Sequence, residues 1–285
     1  MNVSLAPSLI HITDSEFNEI VAFVYQKYGI DLHKKRHLIE GRLSYTLKAK
    51  GFDRFAPYMH LIMGTGPEAE AEMQQFLNKI TTNHSYFARE NEHFEFLLRE
   101  ALPRLKQTKS HDLRIWSAGC SAGQEPYNIA MAIDQFFGPE KSRWDTTILA
   151  TDLSTKVLAQ AKQGIYPEEQ IEGLPALWKQ QYLQKLPDGR FQVAEKIRRE
   201  VVYRVFNLMD PFVYKKPFDI IFCRNVMIYF DGPTAKKLIE KFYEATAPGG
   251  YLMIGHSESL AKSKTDCYTY LRPAVYQKLP KGGSA

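Results

Sequence analysis

A chain of 285 residues, 44% hydrophobic and 24% charged, has the composition of a soluble folded protein with one large domain or two unequal ones. With 17 Gly, 15 Pro, no apolar run of eighteen residues and a net charge of only +5, it is not collagen-like or low-complexity. It carries no signal for a transmembrane helix, and its charge alone does not point to nucleic acid.

Thr13-Asp14-Ser15-Glu16 reads as a capping box, and Phe17, Ile20, Val21, Val24 and Tyr28 follow at helical spacing until Gly29. A second helix carries Leu38, Ile39, Leu43, Thr46 and Leu47 and stops at Gly51. Shorter helices are expected over 55–63 and 73–80, the latter started by Pro67 and a Glu-rich turn. Nothing here alternates with period two, so residues 1–90 read as an all-helical domain with its linker. From Leu113 the pattern changes to short apolar runs at 113–117, 147–150, 201–206, 219–223 and 251–254, with helical stretches at 126–137, 155–163 and 234–247. That alternation predicts a parallel sheet covered on both faces by helices across 91–285. Residues 166–200 interrupt it with an amphipathic helix (Leu177, Tyr182, Leu183) and a Pro187-Asp188-Gly189 hairpin turn, an insertion on the sheet domain. The closing run 268–278, broken by Pro273, reads as an edge strand.

Three cysteines at wide spacing (Cys120, Cys223, Cys267), without a CxxC pair, argue against a disulfide framework or a zinc site and fit a reduced cytoplasm. The amino-terminal MNVSLAPSLIHITDSEF lacks the basic start and long apolar run of a secretory signal. No metal is expected.

In open α/β sheets, ligands bind beyond the carboxyl ends of the strands. The first such turn, Ser117-Ala118-Gly119-Cys120-Ser121-Ala122-Gly123-Gln124-Glu125-Pro126, is rich in small residues that let a ligand approach the backbone. Its GxxxG spacing is not the GxGxxG of a pyrophosphate cradle. Asp152 follows the second strand, where an acid can accept the two ribose hydroxyls of an adenosine ligand or, alternatively, cap the next helix. Asn207-Leu208 follows the third and offers an amide and an apolar face to an adenine, although Asn there is also a common turn former. Arg224 and Asn225 follow the fourth, with Tyr229 where an aromatic hydroxyl could face a reacting atom. His256-Ser257 has no GxSxG elbow, so a hydrolase triad is not indicated. The joint TTNHSYFARE (81–90) is dense in hydrogen-bonding groups and reads as a lid or, alternatively, as a capped linker.

Taken together, TTNHSYFARE, WSAGCSAGQEPYNIAM, ATDLSTKVLAQAKQGIY, FDIIFCRNVMIYF and PGGYLMIGHSES resemble the chemotaxis receptor methyltransferase (CheR) family, over about Ile12 to Lys278. Ala88 stands where the family has a second Phe, Gln124 where it has the first Glu of GEEP, and Ser85 where Thr is common. The resemblance implies a class I S-adenosylmethionine-dependent methyltransferase (Rossmann-like) sheet domain with an all-helical N-terminal domain and an inserted small β-subdomain. It implies cofactor contacts from Asn83, Ser85, Arg89, Gly119, Glu125, Asp152, Asn207, Leu208, Arg224 and Asn225, and S-adenosylhomocysteine as product. Its substrates are glutamate side chains on the cytoplasmic helices of chemoreceptors, methylated in sensory adaptation. The expected protein is therefore a bacterial, cytoplasmic monomer that works near the membrane without spanning it and binds no nucleic acid.

A glutamate with a pKa of about 4.3 is ionised at neutral pH, so methyl transfer to it needs positioning and desolvation more than a general base. Arg89 and Tyr229 are the candidate catalytic residues, Arg89 holding either the cofactor or the acceptor carboxylate. Lys35, Arg36 and Arg42 lie in the basic stretch 31–50 and are the candidates for docking an acidic receptor helix. Two other readings stand beside this one: a non-catalytic cofactor-binding scaffold or sensor, and a small-molecule methyltransferase.

Overall fold

The computed structural model describes residues 9–260 and 268–279, so Cys267 lies outside the described residues. The chain divides between Thr82 and Asn83 into two units.

In the first unit, α1 (Asp14–Tyr28) opens with the capping box formed in both directions, Thr13 to the Glu16 amide and Glu16 to the Thr13 amide, and closes on Gly29 at φ 70. The helices α2 (Arg36–Ala49), α3 (Phe55–Met63) and α4 (Pro67–Ile80) follow. Their apolar stripes meet in a core of Ile20, Val24, Ile39, Leu43, Leu47, Phe55, Tyr58 and Phe76, each burial contributing about 1.5–3 kcal/mol. Polar ties fix the packing: Glu40 accepts the Ile12 amide at 3.0 Å and Glu16 the Ala56 amide at 2.7 Å.

The second unit begins at Asn83, ahead of the expected boundary at residue 90. Phe87 explains the difference, because it is buried in the core of the sheet unit and packs edge-on against Tyr166 at 4.9 Å. A helical stretch, Glu92–Phe96, then runs through a π-helical turn, Leu97–Ala101, into Leu102–Thr108. The strands are β1 (Ile115–Ala118), β2 (Ile148–Asp152), β3 (Ile165–Tyr166), β4 (Leu183–Lys185), β5 (Phe191–Val193), β6 (Val201–Val205), β7 (Phe218–Cys223), β8 (Thr246–Ile254), β9 (Thr269–Arg272) and β10 (Val275–Gln277). Seven form one sheet in the order β6-β2-β1-β7-β8-β10-β9. Pairing is parallel from β6 to β8, and β10 runs antiparallel to both β8 and β9.

Strand alternation divides the core. Ile115, Ile148, Ala150, Ile220, Phe222 and Met253 face one apolar layer, whereas Trp116, Ile221, Leu252 and Ile254 face the other. Both faces are therefore covered, as the near-continuous apolar runs require. Trp116 is the hub of the second layer, with the rings of Phe206, Phe212, Tyr214, Phe218 and Phe242 at 5.0–6.0 Å.

The insertion forms its own three-stranded sheet, β3-β5-β4, and the Leu186 amide donates to the Arg190 carbonyl across the expected turn. Its helix is Ala176–Tyr182, and Trp178 with Tyr182 supplies the buried face. Leu177, expected on that face, is exposed, and Leu183 belongs to β4. The carboxyl-terminal run also differs from a single edge strand. Pro273-Ala274, with Ala274 at φ 60, is the turn of a β9–β10 hairpin, which places the missing proline amide outside the ladder.

Candidate active site

Strand order reverses at β1, which has β2 on one side and β7 on the other. The carboxyl ends of these strands are the place where this topology opens a crevice. The turn after β1 is stapled to β2, since the Gly119 and Cys120 amides donate to the Thr151 carbonyl at 2.8 and 2.9 Å. Gly119 has φ 82 and a Cβ there would collide with the Val226 side chain; Gly123 has φ 93 and its Cβ would stand 2.8 Å from Ala161 Cβ and Tyr203 Oη. The two glycines of this turn are thus a steric requirement. Tyr166 adds a support that the sequence alone did not single out, its hydroxyl donating to the Ala122 carbonyl at 2.6 Å.

Asp152 closes β2. Its Oδ2 accepts the Ser121 amide and its Oδ1 the Ser154 amide, both at 2.9 Å. Burial pushes this carboxyl above its ordinary pKa, against the pull of the Ser154, Ser121 and Leu153 amides. The acid therefore pins the turn after β1 and orders the start of Thr155–Gln163, whose N-cap is Ser154. Each carboxylate oxygen has a further lone pair with which to meet a ligand.

Arg224 directly follows β7, with its side chain only 3% exposed. Its guanidinium donates to Glu125 Oε2 at 2.9 Å, to Glu90 Oε2 at 3.2 Å and to the Arg89 carbonyl. Glu125, at the start of Gln124–Phe137, also accepts the Ser117 hydroxyl at 2.7 Å. Asn225 Nδ2 donates to Glu90 Oε1 at 3.3 Å. Arg224 thus orients Glu125 and the 89–90 backbone, while its Nε is buried without a protein acceptor. Its central partner, Glu90, was not among the sequence candidates; the only sequence signal for it is its place at the end of the polar joint segment.

Strain collects around these groups. Ala88, Glu90, Ser121 and Asn225 have φ of 57, 53, 49 and 58, a region non-glycine residues occupy at a cost of order 1 kcal/mol. These four positions fall in three site segments, and the bonds just described hold Glu90, Ser121 and Asn225 in place.

Arg89 lies half-buried, with Nη1 donating to the His84 carbonyl at 2.9 Å and the guanidinium 5.7 Å from the Tyr86 ring centre. Tyr229 is half-exposed in the 3-10 turn Met227–Tyr229 directly after β7. The Asn83 carbonyl accepts the Ser121 hydroxyl at 3.1 Å, and Ser85 is half-exposed on the same segment. Asn207 uses its side chain locally, towards the Met209 amide and Asp210, so its turn-forming role is realised. Leu208 is 8% exposed and belongs to the Trp116 layer. In the helical unit, Lys35 is exposed, whereas Arg36 and Arg42 are half-buried. Arg36 donates to the Ile12 carbonyl at 2.8 Å and to Asp14 at 2.5 Å and covers the Phe17 ring. Arg42 donates to the Lys79 and Thr81 carbonyls at 3.0 Å, capping α4. These two cations hold the helices together, and the exposed cations of this stretch are Lys34, Lys35, Lys48 and Lys50, the last paired with Glu72 at 2.7 Å.

Beneath Arg224, Glu90, His93 and His256 bring ligand-type atoms within 4.8 Å of one another. Both oxygens of Glu90 are already engaged by Arg224 and Asn225, and the guanidinium charge adjoins them, so the group reads as support for Arg224 and not as a metal centre. His93 is 1% exposed, and its pKa is pushed down to about 4, first by burial and next by the Arg224 charge, against the opposing pull of Glu90. The unfolded chain takes up this proton near pH ~6.5, so stability falls as pH drops from about 6.5 towards 4. Between pH 7 and about pH 4.5 the contribution is about 2–3 kcal/mol. Denaturant unfolding of the parent and of His93→Gln at these two pH values should show a larger acid loss in the parent by that amount; equal losses would detach the effect from His93.

The family model described as CheR methyltransferase, SAM binding domain, matches residues 83–274, and that described as CheR methyltransferase, all-alpha domain, matches residues 15–81. A chemotaxis protein methyltransferase of Borreliella burgdorferi is 44% identical over 94% of this chain and 96% of its own length. A probable chemotaxis protein methyltransferase of Rhizobium etli is 38% identical over 91% and 98%, and the chemotaxis protein methyltransferase of Escherichia coli 34% identical over 88% and 86%.

Proposed function

The chain belongs to the CheR methyltransferase family, and from that membership we propose that it methylates glutamate side chains on the cytoplasmic helices of a chemoreceptor. It is an S-adenosylmethionine-dependent methyltransferase acting in chemotaxis. The observation that supports the finer reading is the charge arrangement at the switch point: Arg224 is shared between Glu125 and Glu90 and offsets one of their two charges, while Arg89 donates to the His84 carbonyl and, among the described residues, has no carboxylate in salt-bridge reach. A cation so placed suits an incoming carboxylate.

The residues present fit the cofactor. The left-handed Gly119 keeps the β1 turn clear of side chain, and Asp152 stands after β2 where ribose hydroxyls are met in such folds. Glu125 offers a second, fixed carboxylate for the polar end of the molecule. When bound, S-adenosylmethionine supplies an electrophilic methyl on a sulfonium. The protein's share is to hold the acceptor carboxylate ionised, align it through Arg89 and Tyr229, and exclude water. No side chain is asked to remove a proton.

The helical unit contributes recognition. The exposed side of α2 carries His37, Tyr45 and Lys48, with Lys34 and Lys35 ahead of it, a basic and aromatic face that suits an acidic receptor helix. Among the described residues no helix is long and apolar enough to cross a membrane. The test is to incubate the protein with methyl-labelled S-adenosylmethionine and a receptor cytoplasmic fragment, then treat with mild alkali. Release of the label as methanol is expected; label that survives alkali, or no incorporation, overturns the proposal and favours N-methylation or a non-catalytic scaffold respectively.

A further inference from the structure

After β8 the chain turns through Gly255-His256-Ser257-Glu258, and the Glu258 side chain folds back beneath the end of β7. Its carboxylate accepts the amides of Gly255 at 2.6 Å, Asn225 at 3.0 Å and Ile228 at 3.2 Å, and the Met227 amide bears on it as well. The segment it grips is unusual. Asn225 is left-handed at φ 58, and Ile228, which an apolar anchor would bury, is 51% exposed. Met227 is buried in the Trp116 layer with Val226 and Phe230 packed against it, so the loop is held from one side by these side chains, and its backbone amides supply the remaining hold through Glu258. Two glycines shape the space around it: a Cβ on Gly255 would stand 2.5 Å from Asn225 Nδ2 and 2.8 Å from Asn225 N, and one on Gly119 would strike Val226. The 3-10 turn closes on itself, Tyr229 donating to the Val226 carbonyl at 3.2 Å and Phe230 to the Met227 carbonyl at 3.1 Å. Beyond it, Asp231 accepts the Thr234 amide at 2.9 Å and secures the next helix. Between β7 and Asp231, then, Glu258 is the side chain that gathers the loop's amides.

We propose that Glu258 is the positioning residue of the active loop: its carboxylate fixes the Asn225–Tyr229 backbone so that Tyr229 meets the acceptor. Glu258 touches neither cofactor nor acceptor in this assignment and acts through Tyr229, so the proposal rests on the reading of Tyr229 given above. Glutamine at 258 keeps the shape and one acceptor oxygen, which can serve Gly255 and Asn225, but its NH2 then faces the Ile228 amide, donor against donor, so the grip on the 3-10 turn is lost while the packing stays.

The experiment uses the full chain with three variants, Glu258→Gln, Tyr229→Phe and the pair. Hydrogen exchange of the 225–229 amides should quicken about tenfold or more in Glu258→Gln, with β1 and β2 unchanged. Turnover should fall about tenfold or more, and the double variant should be within about twofold of the worse single variant, since both changes act on one group. Unchanged exchange in the loop, or single effects that multiply in full, overturns the proposal. Parent-like turnover in Tyr229→Phe overturns the reading of Tyr229 instead, and the exchange result still decides whether Glu258 clamps the loop. If Glu258→Gln does not fold, Glu258→Asp keeps the charge and shortens the reach; faster exchange confined to 225–229 supports the clamp, and faster exchange throughout the unit overturns it.

Discussion

Arg224→Ala should abolish turnover and destabilise the sheet unit by about 3–5 kcal/mol. The reason is what remains behind. Glu90 and Glu125, 15% and 12% exposed in their side chains, flank a guanidinium that is itself 3% exposed. Removing it leaves two carboxylates facing one another across a cavity, and orphans the Arg89 carbonyl that the same guanidinium bonds. Burial alone would raise the Glu90 pKa; the Arg224 charge overcomes this and holds it below its ordinary value. Loss of Arg224 therefore also moves Glu90 towards protonation. Arg224→Lys should not restore the parent, because one ammonium cannot reach three acceptors in the plane that the fork spans. Denaturant unfolding and receptor methylation of both variants provide the measurement. Stability within about 1 kcal/mol of the parent in Arg224→Ala would show that the two carboxylates find water, and would remove Arg224 from its central place.

How much of this was legible beforehand depends on the range of the interaction. Helix starts and strands are written locally: the capping box at Thr13–Glu16 and the apolar runs that became β1, β2, β6 and β7 needed only periodicity and caps. The need for small residues at 119 and 123 was also legible, although not its cause, which is Val226 in the loop after β7 and Tyr203 in β6 pressing from far along the chain. The Arg224 network joins residues 99 and 134 positions apart, and no period or motif announces such a bond. Glu258 is harder still, because its partners are backbone amides, which carry no residue identity to read. Arg36 and Arg42 show the opposite case, in which distant partners claim residues whose local pattern is plain. Basic residues on a helix look like a solvated face, yet capping carbonyls and an aromatic ring claim both. The Pro273 hairpin was missed because proline forbids a ladder position equally well at an edge or in a turn.

Asp152→Ala should separate the two roles that the sequence left open for this acid. If the carboxylate only caps, the cost appears in the unliganded protein: the Ser121 and Ser154 amides lose their acceptor, each about 1–3 kcal/mol where water cannot replace it. If it also receives the ribose, S-adenosylhomocysteine affinity falls in addition, by about 10–100-fold for one charged hydrogen-bonding group. Both losses are expected, because the two amides approach different oxygens and each keeps a lone pair. Asp152→Asn refines the result. Its oxygen can still serve Ser154, while its NH2 faces the Ser121 amide, donor against donor, and should release the left-handed Ser121 turn. The asparagine variant should thus recover part of the unliganded stability but little of the affinity. Unfolding in the absence of ligand gives the first quantity, and calorimetric titration with S-adenosylhomocysteine the second. Full parental affinity in Asp152→Ala would leave the acid as a cap alone, and the ribose would have to be met by Glu125 or by the turn after β1.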